Sequence, residues 1–155
     1  MSDLDKVIDL FAKRNLTISL AESCTGGLIS ATLTEKSGVS KIFLGSIVSY
    51  SNSLKVNALS VPSTLIKSLG AVSEPVAQAM AKGVQDITGS DYAISTTGVA
   101  GPSGGTKAKP VGMVCFALQG PGISKTYTKY FQGNRREVQQ AAADYVWEIL
   151  LTHLA

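Results

Sequence analysis

The sequence predicts a three-layer α/β/α sandwich around a mixed β-sheet, and three observations carry that expectation. Short apolar runs that read as strands alternate with longer segments of helical period, the order that lays helices over both faces of a sheet. Two of these runs, Val111 to Leu118 and Ser124 to Phe131, are separated only by Gln119-Gly120-Pro121-Gly122. That turn signal makes them a hairpin, so the sheet is mixed rather than wholly parallel. The 155 residues are 45% hydrophobic and 16% charged, enough apolar material for one core and one domain over residues 1–155.

Taken in order, Leu4, Val7, Ile8, Phe11 and Ala12 recur at helical spacing, which predicts a first helix from Asp3 to about Asn15. Thr17 to Ala21 reads as a strand, and Leu28, Ile29, Ala31 and Leu33 resume the helical period. Ile42 to Tyr50 is a second strand, followed by a short helix from Asn52 to Leu59. Pro62 opens a further helical turn that Gly70 closes, and Pro75 starts an alanine-rich helix from Val76 to Ile87 suited to close packing. A strand over Asp91 to Thr97 precedes the hairpin. The last helix runs from Arg135 to about Leu154, with Trp147 and Tyr145 as core or interface aromatics and His153 in the frayed end.

Charge and cysteine usage exclude several classes. A net charge of +3 and a pI near 8.9, without a basic run or aromatic-basic alternation, suit an anionic small molecule and not nucleic acid. Cys24 and Cys115 are isolated thiols, not a closely spaced ligand set, so neither a structural zinc site nor any other metal is expected. The N-terminal Met1-Ser2-Asp3-Leu4-Asp5-Lys6 is polar, and no run approaches the roughly 20 apolar residues of a membrane span, so a cytoplasmic protein is expected.

Three constellations carry chemistry. Ala21-Glu22-Ser23-Cys24-Thr25-Gly26-Gly27 lies where a strand gives way to a helix, so Ser23 faces unpaired amides that favour an anion or a developing oxyanion. The same position also suits a serine or threonine that merely caps the helix. The single histidine, His153, is almost at the C-terminus, which argues against a Ser-His-Asp triad. A serine nucleophile then needs a desolvated lysine, and Lys55, in the segment Val48 to Lys55, is the candidate. To serve as a base, a lysine must fall from about 10.4 to near 7, a shift worth about 4 kcal/mol that burial or a neighbouring cation can supply.

The third constellation is Thr96-Thr97-Gly98-Val99-Ala100-Gly101-Pro102-Ser103-Gly104-Gly105-Thr106, after the strand-like Tyr92 to Ser95. Glycines there let backbone amides approach a phosphate or an oxyanion, and a long surface loop accounts for the segment equally well. The segment is neither a Walker A loop nor a dinucleotide fingerprint. Thr96 and Thr97 end a strand where open α/β sheets make ligand contacts, so one hydroxyl is expected to face the ligand and the other the sheet.

Several blocks together resemble the CinA C-terminal domain family, the C-terminal domain of competence/damage-inducible proteins, which also occurs alone as nicotinamide-nucleotide amidohydrolase. They are Ala21 to Gly27, Tyr50-Ser51-Asn52 with Lys55, Gly70-Ala71-Val72-Ser73, Gly98 to Pro102 with Gly104-Gly105, Lys109-Pro110-Val111-Gly112, and Phe131-Gln132-Gly133-Asn134-Arg135. The resemblance implies hydrolysis of the carboxamide of nicotinamide mononucleotide to nicotinic acid mononucleotide and ammonia, in pyridine nucleotide recycling, with no cofactor. It implies that Ser23 acts at the amide carbon, that Lys55 takes and returns its proton, and that Tyr50 lies beside them.

The helix amides after Ser23, including those of Thr25, Gly26 and Gly27, are then expected to hold the oxyanion. Thr96 or Thr97, the glycines Gly98, Gly101, Gly104 and Gly105, and Arg135 are expected to hold the nucleotide, with Arg135 on its phosphate. The resemblance further implies a homodimer or higher homo-oligomer. It also implies that some relatives carry a second, larger domain whose activity does not belong to these residues. Ser46 and Met113 depart from the family pattern, where glycine and threonine are usual. Two alternatives stand beside this reading: a nucleotide-binding protein without turnover, and a serine-dependent hydrolase of a different amide.

Overall fold

A computed structural model describes residues 1–154. The elements are α1 (Asp3–Lys13), β1 (Ile18–Glu22), α2 (Leu28–Thr34), β2 (Phe43–Val48), α3 (Asn52–Leu59), α4 (Ser63–Leu69), α5 (Glu74–Thr88), β3 (Tyr92–Gly98), β4 (Met113–Gly120), β5 (Ile123–Tyr130) and α6 (Arg135–Leu154), with a 3₁₀ turn at Val39–Lys41 before β2. The five strands form one sheet in the order β2-β1-β3-β4-β5. β1 runs parallel to both β2 and β3, while β4 and β5 form the antiparallel hairpin, so the sheet is mixed as the turn signal required.

Local chemistry sets the ends of these elements. Ser2 and Asp5 form a reciprocal capping box at the start of α1, and the left-handed Asn15 turns the chain two residues past its last helical residue. Ser51 caps α3 and Ser73 caps α5 by accepting from Leu54 and Val76 amides. Because Ser73 caps it, α5 begins at Glu74, two residues before the apolar pattern starts. Gly83 sits where α5 crosses α3, and a Cβ there would come within 2.0 Å of the Leu59 carbonyl oxygen.

The sheet separates two apolar clusters. On one face α1, α2 and α6 bury Phe11, Ile29, Leu33, Val146, Trp147 and Leu150 against Leu20, Ile94 and Phe116. On the other, α5 and its neighbours α3 and α4 bury Val76, Met80, Val84 and Leu59 against Ala21, Ala93 and Ala117. Small residues on that sheet face let the alanine-rich helix approach closely. Trp147 is buried, and Tyr145 packs edge-on against Phe116, Tyr127 and Phe131.

His153 corrects an expectation. It is not frayed: α6 runs on to Leu154, and His153 Nε2 is hydrogen-bonded to the Tyr127 hydroxyl of β5, a strand partner that the sequence order did not reveal. Among the described residues no helix is long and apolar enough to cross a membrane.

This topology creates the crevice that matters. The chain leaves β1 toward one face, as α2, and leaves β2 toward the other, as α3, and then returns to place β3 on the far side of β1. Open α/β sheets bind ligands outside the carboxyl ends of their strands where the connections diverge in this way. Ser23, Ser49 with Tyr50, and Thr97 with Gly98 lie at those three strand ends.

Candidate active site

β1 ends on Glu22, one residue later than the apolar run suggested, and Ser23 follows at once. The chain then turns: the Gly26 amide donates to Ser23 O at 3.0 Å, and Gly26 and Gly27 take left-handed φ of 61° and 101° before α2 begins. Only residues without a Cβ adopt such consecutive conformations at little cost, which places Gly-Gly here. Ser23 is buried, with 7% of its surface exposed.

β2 stops at Val48, two residues short of the expected Tyr50, because Ser51 starts a helix cap there. α3 then carries Lys55 inward on its first turn. The lysine is 1% exposed, and its Nζ lies 3.0 Å from Ser23 Oγ, 2.8 Å from Ser49 O and 3.3 Å from Tyr50 O. Two of these neighbours are carbonyls, which only accept. A neutral amine has two hydrogens for the carbonyls and one lone pair left for the serine proton. Burial pushes the Lys55 pKa below its ordinary value, partly opposed by the Cys24 thiol. The positive end of α3 acts in the same direction. None of the ion pairs among the described residues includes Lys55.

Ser23, Cys24, Tyr50, Asn52, Lys55, Ala71, Val72, Thr97, Gly98, Ala100 and Arg135 line a cavity of about 210 Å3. Its lining holds two basic side chains, Lys55 and Arg135, and no carboxylate. Arg135, at the start of α6, donates from Nη1 to Gly101 O at 2.7 Å and from Nη2 to the Tyr50 hydroxyl at 2.9 Å. Both partners are uncharged, so the guanidinium keeps its full positive charge at the cavity mouth. Among the described residues no group of three His, Cys, Asp or Glu side chains is placed to hold a metal ion.

Residues 2–154 match the CinA C-terminal domain family. The chain belongs to that family. The CinA-like protein of Desulfotalea psychrophila is 46% identical over 142 residues, 92% of this chain but 34% of that protein. That of Dictyoglomus thermophilum is 54% identical over 112 residues, 72% of this chain and 27% of the relative. The chain thus spans about a third of the length of the curated relatives it matches. Among solved structures, the competence or damage-inducible protein of Enterobacter asburiae superposes with a TM-score of 0.95 at 31% identity, covering 99% of this chain and 96% of that one. The competence/damage inducible protein CihA of Agrobacterium tumefaciens gives 0.89 at 33%, covering 98% and 96%.

Within this CinA domain, the residues singled out from sequence divide into two groups. Ser23, Lys55, Tyr50, Thr97, Gly98 and Arg135 come together around the cavity. Thr25, Gly26, Gly27, Thr96, Gly101, Gly104 and Gly105 lie outside its lining. Thr25 and Thr96, on adjacent strand ends, satisfy each other at 2.9 Å, whereas the Thr97 hydroxyl donates to Ala71 O at 2.9 Å beside the cavity. Gly101 contributes only its carbonyl, to Arg135. Gly104 and Gly105 sit on the exposed part of the loop. Cys24, Asn52, Ala71, Val72 and Ala100 line the cavity with no role expected of them from sequence, although all five stand inside the motifs that carry the family resemblance.

The largest correction concerns Glu22. Its carboxylate is fully buried, and Oε1 accepts from the Thr25 hydroxyl (2.6 Å) and the Gly27 and Ile29 amides (3.2 and 3.1 Å). Oε2 accepts from the Ser30 amide (2.9 Å) and hydroxyl (2.5 Å), and Ser46, one of the two departures from the family pattern, joins this network 2.7 Å from the Ser30 hydroxyl. Of the amides expected to hold an oxyanion, that of Gly27 is therefore taken by this carboxylate and that of Gly26 by Ser23 O, and the Ile29 and Ser30 amides at the start of α2 are taken as well. Helix dipoles attract whichever negative group is nearest, and here the chain supplies it.

Proposed function

We propose that this CinA domain is a nicotinamide-nucleotide amidase that converts nicotinamide mononucleotide to nicotinic acid mononucleotide and ammonia. The observation that carries the reading is Lys55 Nζ at 3.0 Å from Ser23 Oγ, both buried, with histidine absent from the cavity. Neutral Lys55 takes the Ser23 proton as Oγ attacks the carboxamide carbon, and the resulting lysine ammonium returns that proton to the departing nitrogen, which leaves as ammonia. A water deprotonated by the same lysine then hydrolyses the ester and regenerates Ser23.

The substrate's charges support the assignment. A pyridinium ring beside Lys55 disfavours an ammonium there, which keeps the lysine in its basic form. The 5′-phosphate suits Arg135, which has uncharged partners only and donors arranged for bidentate contact. A cavity of about 210 Å3 is smaller than the usual ligand pocket of about 300 Å3 or more, so the pyridine carboxamide fills it and the ribose phosphate lies across the mouth near Arg135. A cytoplasmic place in pyridine nucleotide recycling, and self-association as a dimer or larger homo-oligomer, belong to the same proposal.

The test is ammonia and nicotinic acid mononucleotide release by the purified chain, run beside Ser23→Ala. The expected result is release that falls at least about a hundredfold in the variant. Nucleotide binding without release from the folded wild type would instead mark a domain that has lost turnover.

A further inference from the structure

With the α2 amides occupied by Glu22, the tetrahedral oxygen formed at Ser23 needs other donors. We propose that the main-chain amide of Cys24 is an oxyanion donor and that Gln139 is the positioning residue that holds it in place; the assignment rests on the amidase reading above.

In a trans peptide the C=O and N–H point in opposite directions, so fixing a carbonyl aims the amide of the same plane. Cys24 is fixed on both sides. Ser23 O, which shares its peptide plane with the Cys24 amide, accepts from the Gly26 amide at 3.0 Å and so aims that amide, while Cys24 O, in the plane of the Thr25 amide, accepts from Gln139 Nε2 at 3.0 Å and so clamps the far side of Cys24 against rotation. Among the described residues, no other residue accepts from the amides of Cys24 and Thr25, whereas those of Gly26, Gly27, Leu28, Ile29 and Ser30 all have acceptors. The Cys24 amide also reaches its own sulfur, but burial pushes that thiol up to about 12, so the sulfur is neutral and only a weak acceptor.

Cys24 lines the cavity beside Ser23, whereas Thr25 does not. The amide of the residue after a serine nucleophile lies within reach of the oxygen that develops on the attacked carbon. Gln139 follows Arg135 by one helical turn, so one face of α6 supplies both groups: Arg135 reaches the cavity mouth and Gln139 reaches the nucleophile loop.

The test compares wild type with Gln139→Met, which keeps the length of the side chain without its donor, and Gln139→Lys, which restores one. Gln140→Ala, on an exposed residue bonded to Asp144, is the control. Two rates are read: ammonia release from nicotinamide mononucleotide, and phosphonylation of Ser23 by a fluorophosphonate, which uses the same donors without the nucleotide. Gln139→Met is expected to slow both roughly tenfold with KM within about twofold, less than the 10²–10³ lost when an oxyanion donor is deleted outright. Gln139→Lys should recover most of the loss, and an amide-to-ester exchange at Cys24 should cost about a hundredfold.

Full kcat and labelling in Gln139→Met, or a lowered Tm with unchanged rates, overturns the proposal. A wild type that labels with this dependence on Gln139 yet releases no ammonia overturns the amidase reading and leaves the donor assignment standing. Folded wild type that neither releases ammonia nor labels overturns both.

Discussion

Removing the Glu22 carboxylate tests how the Ser23 loop is held. In Glu22→Ala the Thr25 and Ser30 hydroxyls can rotate toward Thr96 and Ser46, their other neighbours at 2.9 and 2.7 Å. The Gly27, Ile29 and Ser30 amides cannot rotate, because α2 fixes them. An unsatisfied buried polar group costs about 1–3 kcal/mol. Ile29 meets the carboxylate in a buried setting, while Gly27 and Ser30 are half-buried and regain part of their loss from water. The expected cost is therefore about 3–5 kcal/mol, a large share of the 5–15 kcal/mol that holds a typical domain.

Glu22→Gln keeps one acceptor oxygen. Placed at Oε1, it preserves the bonds from Thr25, Gly27 and Ile29 and turns an NH2 toward the Ser30 amide, a loss of about 2 kcal/mol. Equilibrium urea unfolding of the three proteins at neutral pH measures both differences. A Glu22→Ala penalty below about 1 kcal/mol, or equal penalties for Ala and Gln, would refute the idea that this carboxylate terminates α2 and fixes the loop after Ser23.

Three further outcomes are expected. Because burial lowers the Lys55 pKa from 10.5 and the neutral amine is the working form, kcat/KM should rise with pH and level off above the folded pKa, at a pH below 10.5; Lys55→Arg, which stays charged, should lose at least about a hundredfold at every pH, and a flat profile would exclude Lys55 as the base. Arg135→Ala should raise KM for the mononucleotide about 10–100-fold with kcat little changed, the worth of a charge-assisted hydrogen bond, and a loss confined to kcat would remove Arg135 from phosphate binding. Gly83→Ala should destabilise the fold by about 2 kcal/mol or more, read by Tm, since its Cβ would meet the Leu59 carbonyl oxygen at 2.0 Å and both helices must shift.

Sequence order revealed what depends on neighbours in the chain and concealed what depends on neighbours across it. The strand-to-helix junction at Ser23, the hairpin at Pro121-Gly122 and the short helix that carries Lys55 are all local patterns of period and turn chemistry. Element ends moved by a few residues wherever a cap decided them, as at Ser51 and Ser73. Thr96 reads as a ligand contact because hydroxyls at strand ends often are, and Thr25 because its amide follows Ser23. They lie 71 residues apart, and only the parallel pairing of β1 with β3 turns them toward each other. Gln139 gave no signal for the same reason: its partner, the Cys24 carbonyl, is 115 residues away.

Glu22 is the instructive case, since it stood inside the motif that drew attention to Ser23. An acid before a helix of apolar period reads as a solvated charge or a favourable dipole contact, and nothing local says that its strand ends buried. Once β1 is central in the sheet, flanked by β2 and β3, the carboxylate has no route to water and must be satisfied internally. The two left-handed glycines let the chain fold back so that α2 offers its amides to that carboxylate. The consequence for chemistry follows directly. A helix end that holds an internal carboxylate repels a second anion, so under the proposed amidase reading a substrate phosphate is steered away from α2 and toward Arg135, and the reacting carbonyl is left to the Cys24 amide, which lines the cavity beside Ser23.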